Sequence, residues 1–155
     1  MKKIVSLAVS RKKGTPKTTV REVFLKTGHG IEGDAHAGPW HRQISFLAAE
    51  QIKAAWTRGL NVDFGSFAEN IATLGVDWVN VPVGTRLRLG ETAEVEITQI
   101  GKECHNRCAI YYQAGDCIMP RQGVFGRVLK EGRLCPGDRI DFLFVPETTA
   151  TAECG

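Results

Sequence analysis

Between Ser45 and Leu60 the apolar residues Ala48, Ile52, Ala55 and Trp56 recur at i, i+4, i+7 and i+8, the spacing of one face of an α-helix. The stretch SFLAAEQIKAAWTRGL therefore predicts a helix, with Ser45 able to cap its start and Gly59 to end it. Elsewhere the pattern has period two. In TRLRLGETAEVEITQI, Leu87 and Leu89, then Ala93, Val95 and Ile97, alternate with polar residues on either side of Gly90 to Thr92, which predicts a β-hairpin. Further short strands are expected at Lys3 to Val9, Glu22 to Leu25 and Arg139 to Val145. Gly84 to Leu89 resembles Gly137 to Phe142, each with a proline just upstream, and both read as turns leading into strands. Many short strands and one helix predict a mainly β fold, a closed or partly open β-barrel in which closure removes exposed sheet edges.

Length sharpens this picture. A chain of 155 residues is most simply one domain, able to bury about two thirds of its unfolded surface without disulfides. The expected domain runs over residues 1–145; the tail PETTATAECG, residues 146–155, has lost the apolar period and is expected to be flexible. No stretch approaches the ~20 apolar residues of a membrane span. The start MKKIVSLAVSRKKG carries only a short apolar run without a cleavage site, so it reads as a first strand, and a cytoplasmic location is expected.

A net charge of +3 is too small for a general nucleic-acid footprint, and no nucleic-acid partner is expected. The local cluster RKKGTPK, Arg11 to Lys17, reads either as a solvated loop or as a contact for an anionic small ligand, with Lys17 a candidate. In GIEGDAHAGPWHRQIS, Gly30 to Ser45, glycines interleave with Asp34, His36, His41 and Arg42. Turns of this kind let polar groups converge on a ligand, although Asp34 and His36 should point the same way only in a special geometry. In GSFAENI, Asn70 can hold a turn or touch a ligand.

Cysteines are odd in number, five, and unevenly spread, which argues against a disulfide framework. Three of them fall between Glu103 and Pro120. Cys104, His105, Cys108 and Cys117 offer the ligand types that soft metals prefer, so a structural zinc site is one reading, although the spacing differs from common zinc knuckles. Lys102, His105 and Arg107 surround Cys104 and Cys108 with positive charge, which favours the thiolate that attacks, ligates or carries sulfur. Packing as small buried hydrophobes is the plain alternative.

Together, GIEGDAHAG.WHRQIS, GSFAENI, GKECHNRCAI and GVFGRVLKEGRLCPGDRI resemble the MOSC domain, named for the C-terminal part of molybdenum cofactor sulfurases. The resemblance runs from the first strand to about Phe144 and is closest to the short, stand-alone bacterial type. It implies a β-barrel related to that of pyruvate kinase and a cysteine that ligates molybdenum or carries sulfur to it, Cys108 being favoured over Cys104. By the same resemblance Lys17, Asp34, His36, Arg42, Asn70, Lys102, His105 and Arg107 would contact the molybdopterin cofactor. Proteins of molybdenum-cofactor biosynthesis, or molybdoenzymes, are the implied partners, with a cysteine desulfurase as sulfur donor and a homodimer as an option. A molybdenum-dependent reductase of N-hydroxylated compounds and a zinc-stabilised interaction module are the alternatives.

Overall fold

The computed structural model describes residues 1–101 and 123–147. Its elements, in chain order, are β1 (Lys3–Val9), β2 (Thr18–Val20), β3 (Val23–Lys26), β4 (Gly30–Ile31), β5 (Ile44–Ala48), α1 (Ala49–Thr57) and β6 (Ile71–Leu74). A 3-10 turn (Trp78–Asn80) leads to β7 (Arg86–Leu89), β8 (Ala93–Ile100), β9 (Val124–Lys130), β10 (Gly132–Leu134) and β11 (Ile140–Phe144). One sheet has the order β11-β7-β8-β9-β5-β6-β1-β2, and a smaller one the order β10-β3-β4. All pairs are antiparallel except β5 with β6, whose parallel pairing needs a crossover that α1 supplies.

The large sheet curls until β1, next to its β2 edge, meets the chain leading into β11. Lys3 bridges Arg139, the Ile4 amide donates to the Asp138 carbonyl, and the Gly137 amide donates to the Ile4 carbonyl at 2.7 Å. The ladder is interrupted there, so the result is a partly open barrel. Its interior holds Ile4, Leu7, Leu25, Phe46, Leu87, Leu89, Val95 and Ile97, with Trp78 packed on Phe46 at 5.0 Å between ring centres. A second cluster, with Leu47, Ile52, Ala55, Phe67 and Phe125, lies under α1.

The hairpin of β7 and β8, and strands β1, β3 and β11, lie where alternation predicts them. The two resembling turns do more than look alike. Gly84 and Gly137 share φ of +97°, and the strands that follow pair with each other through Ile140 and Leu89. The helix departs from expectation at its start. Ser45 to Ala48 belong to β5, not to a cap, because Phe46 faces the barrel and Leu47 faces α1; a strand buried on both faces carries no alternation. Trp56 is 64% exposed, and Ala49, Ile52 and Ala55 make the buried face. Gly59 closes the helix as expected, its amide donating to Trp56 and that of Leu60 to Ala55.

Candidate functional site

The basic stretch after β1 is not wholly solvated. Lys17 is buried, and its ammonium lies 2.8 Å from Asp34 Oδ1, 3.0 Å from Ser10 Oγ and 3.0 Å from His36 Nδ1. Asp34 Oδ1 also accepts the Ser10 amide at 3.0 Å, and Oδ2 accepts the His36 amide at 3.1 Å. Burial alone would raise the Asp34 carboxyl; the hydrogen bond and charge of Lys17, with the two amides, outweigh it and hold the group below its ordinary value. Three sequence-predicted residues thus meet at one point. The special geometry that lets Asp34 and His36 point the same way is supplied by the turn itself, since Asp34 accepts the His36 amide while Lys17 reaches both side chains from outside the loop.

Trp40 carries this cluster toward solvent. Its indole Nε1 donates to the His36 carbonyl at 2.7 Å, and the two rings lie within 5° of parallel. Lys13 Nζ sits 4.3 Å from the indole centre, and the Arg42 guanidinium lies 4.7 Å from Trp40 and 5.7 Å from Phe125. Arg42 Nε is buried with no hydrogen-bond partner among the described residues. An unpaired buried donor is costly and calls for an acceptor. Trp40 and His41 also line a cleft of about 640 Å³ with Gln43, Thr98, Glu96 and Arg127, a volume suited to a small-molecule site.

The end of β8, which precedes the cysteine segment in the sequence, is tied to His41. His41 Nε2 and Gln99 Oε1 are 2.8 Å apart, Thr98 Oγ1 donates to the His41 carbonyl, and Gln99 Nε2 donates to the Gly101 carbonyl. The Gly101 amide in turn donates to the Gly123 carbonyl at 2.7 Å. Gly101 and Gly123, which flank residues 102–122 in the sequence, are therefore joined to each other, and Gln99 ties Gly101 to His41. Lys102, Cys104, His105, Arg107, Cys108 and Cys117 lie outside the described residues, as does Cys154. Among the described residues no group of three or more metal-ligating side chains forms a site.

Asn70 sits away from the platform's polar face, inside the sheet. Its Oδ1 accepts the Ser45 amide at 3.0 Å and its Nδ2 donates to the Ala8 carbonyl at 3.1 Å, so it clamps β5 to β1. Its neighbour Glu69 stands out in the sequence beside Asn70 but carries no role there. Only 1% exposed, it accepts the amides of Gly65 at 2.6 Å and Phe67 at 3.2 Å. Burial pushes its carboxyl up to about 7, against the pull of those amides and of the Lys17 charge. A carboxylate set among Phe67, Ala68 and Ile71 was the available signal.

Fold and platform together describe a mainly β protein in which Lys13 and Arg42 pack their cationic groups on the Trp40 ring. The chain belongs to the MOSC domain family, whose model matches residues 32–141, a family associated with the molybdenum cofactor. Its fold is similar to that of the YUAD protein from Bacillus subtilis, at 19% identity and a TM-score of 0.73, over 92% of this chain and 96% of that one. It is also similar to YiiM from Geobacillus stearothermophilus (22% identity, TM-score 0.72, 93% and 76% covered) and YiiM from Escherichia coli (20%, 0.65, 94% and 72%). Comparison with curated proteins finds no match. No described helix is long and apolar enough to cross a membrane.

Proposed function

We propose that this protein binds the molybdenum cofactor, seating its phosphate on Arg42 and Lys13 against Trp40, and offers Cys108 or Cys104 to the metal or to its sulfur. The observation that carries the reading is the buried Arg42 Nε, without a hydrogen-bond partner among the described residues, on a cationic aromatic platform whose neighbour His41 is tied through Gln99 to Gly101. An oxyanion answers that geometry, because it brings acceptors and offsets a local surplus of positive charge from Lys12, Lys13, Lys17 and Arg42 over Asp34. When bound, the cofactor would supply a soft metal centre to which a thiolate is suited. Arg42 and Lys13 would bind, Trp40 would orient, and the cysteine would ligate or carry sulfur. Molybdoenzymes or cofactor-biosynthesis proteins are then the exchange partners, with a cysteine desulfurase supplying sulfur.

Metal and pterin analysis of protein purified from a cofactor-competent host tests this. Near-equimolar molybdenum and pterin are expected, with loss of molybdenum in either Cys108→Ser or Cys104→Ser and none in Cys154→Ser. A hydroxyl is neither soft nor ionised near pH 7. Stoichiometric zinc without pterin, or equal and negligible loss in both variants, would overturn the reading. Loaded protein that does not turn over N-hydroxylated bases acts as a carrier and not as a reductase.

A further inference from the structure

The largest apolar side chain of α1 stays in water. Ile52 is buried beneath the helix, whereas Trp56, one turn further on and a neighbour of Ile52 on the helix surface, is 64% exposed. Strand β1 contributes a bulge. Its register with β6 slips between Ile4 and Ser6, so that Ile4 and Leu7 both reach the barrel interior while Val5 packs on the cluster under α1. Helix and bulge line a groove of about 740 Å³, walled by Val5, Ile52, Trp56, Phe64 and Leu74, a volume suited to a small-molecule site. It shares no lining residue with the Trp40 cleft.

Four charged residues complete the lining, and they are not equivalent. The carboxylates are engaged by the backbone: Glu50 Oε2 accepts the Gly75 amide at 2.9 Å, and Asp63 Oδ1 accepts the Phe64 amide at 2.7 Å. The ammonium groups of Lys3 and Lys53 form no ion pair or hydrogen bond among the described residues. Each lysine stands beside an apolar wall. Lys3 lies opposite Leu74 in the β1–β6 pair, and Lys53 lies one turn before Trp56 on α1. An incoming anion therefore meets cations still open to pairing, whereas an incoming cation meets carboxylates that peptide amides already hold.

We propose that this groove is a second binding site, which takes a small amphipathic carboxylate: its apolar body covers Trp56, Ile52, Phe64 and Leu74, and its carboxylate pairs with Lys3 or Lys53. Burial of the apolar body supplies most of the affinity, because water is removed from both surfaces. The lysines choose the head group, and their share is modest because pairs at a wet rim are screened. No part of this site depends on cofactor binding at the Trp40 platform.

Octanoate, octanol and octylammonium share one chain and differ in head-group charge, so together they test both halves of the proposal. Each is titrated at neutral pH into the ¹⁵N-labelled 155-residue chain and read at the indole N–H of Trp56, assigned by its loss in Trp56→Phe. The other two tryptophans report independently, since their indoles donate to the His36 carbonyl and to Thr73 Oγ1. A saturable shift of the Trp56 signal with octanoate is expected, at an affinity about fivefold above that of octanol and about tenfold above that of octylammonium. The double variant Lys3→Gln with Lys53→Gln should bring octanoate within about twofold of octanol and leave the octanol affinity unchanged, which also shows that the variant is folded. No saturable shift with octanoate, or octylammonium binding as tightly, overturns the proposal. A Trp56 signal that moves with protein concentration and not with octanoate assigns the groove to a second copy of the chain, and overturns it too.

Discussion

Two buried carboxylates, Asp34 and Glu69, sit on either side of Lys17 and behave in opposite ways. Both accept two backbone amides, and both are shielded from water. Asp34 also touches the Lys17 ammonium, which keeps it charged; Glu69, among the described residues, has backbone amides as its hydrogen-bond partners, and burial raises it. Lys17 divides its own parts between them. Its side chain goes to Asp34, while its backbone amide donates to the Gly65 carbonyl within the Glu69 turn. Gly65 is required for that approach, since a Cβ there would lie 2.1 Å from the Lys17 carbonyl oxygen at φ of +87°. Charge is thus favoured in the Asp34 loop and disfavoured in the Glu69 turn.

Removing the shared lysine should break the contrast most strongly. Lys17→Met leaves Asp34 buried without its counter-ion, and a loss of about 3–5 kcal/mol in urea denaturation is expected. Adding Asp34→Asn should recover part of it, and no recovery would mean that the lysine acts by packing alone.

Proton linkage gives the next effect. Between pH 4.5, the ordinary value for glutamate, and about 7, the folded chain holds the Glu69 proton and the unfolded chain does not. Stability should therefore fall as pH rises through that window, by at most about 3 kcal/mol, and level off above it. Asp34 has the opposite sign. Its lowered value contributes stability present above 3.8 and lost as pH falls through the folded value. Glu69→Gln should flatten the upper window and leave the acid limb in place. A pH profile unchanged by that variant would show that Glu69 is not the group responsible.

Much of the strand framework was legible because most strands bury one face and alternate. The pattern failed where that condition fails: β5 is buried on both sides, so its apolar run merged with the helix that follows. Individual site residues were legible as chemical types but not as a constellation. Asp34 and His36 looked divergent because the group that unites them lies seventeen residues before Asp34, beyond any local pattern. Lys17 was legible as a candidate for an anionic ligand, but not as the buried partner of Asp34 and His36, for the same reason. Glu69 was hidden by its position in the apolar stretch FAENI, where only the folded chain reveals that the amides of Gly65 and Phe67 surround it.

The smallest change in free energy tests the central claim most directly. Arg42 packs on Trp40 and Phe125 and leaves a buried donor unpaired among the described residues, so its truncation should cost folding little: the lost aromatic contacts, roughly 0.5–1 kcal/mol, are offset by removal of that donor. The measurement is the affinity of wild type and Arg42→Ala for molybdopterin across a series of salt concentrations, with a thermal melt of each protein. The account predicts binding about tenfold weaker in the variant, an affinity that falls with salt in the wild type and less steeply in the variant, and nearly coincident melts. Equal affinity at every salt concentration, or an unfolded Arg42→Ala protein, would contradict the assignment of this platform as the cofactor's phosphate seat.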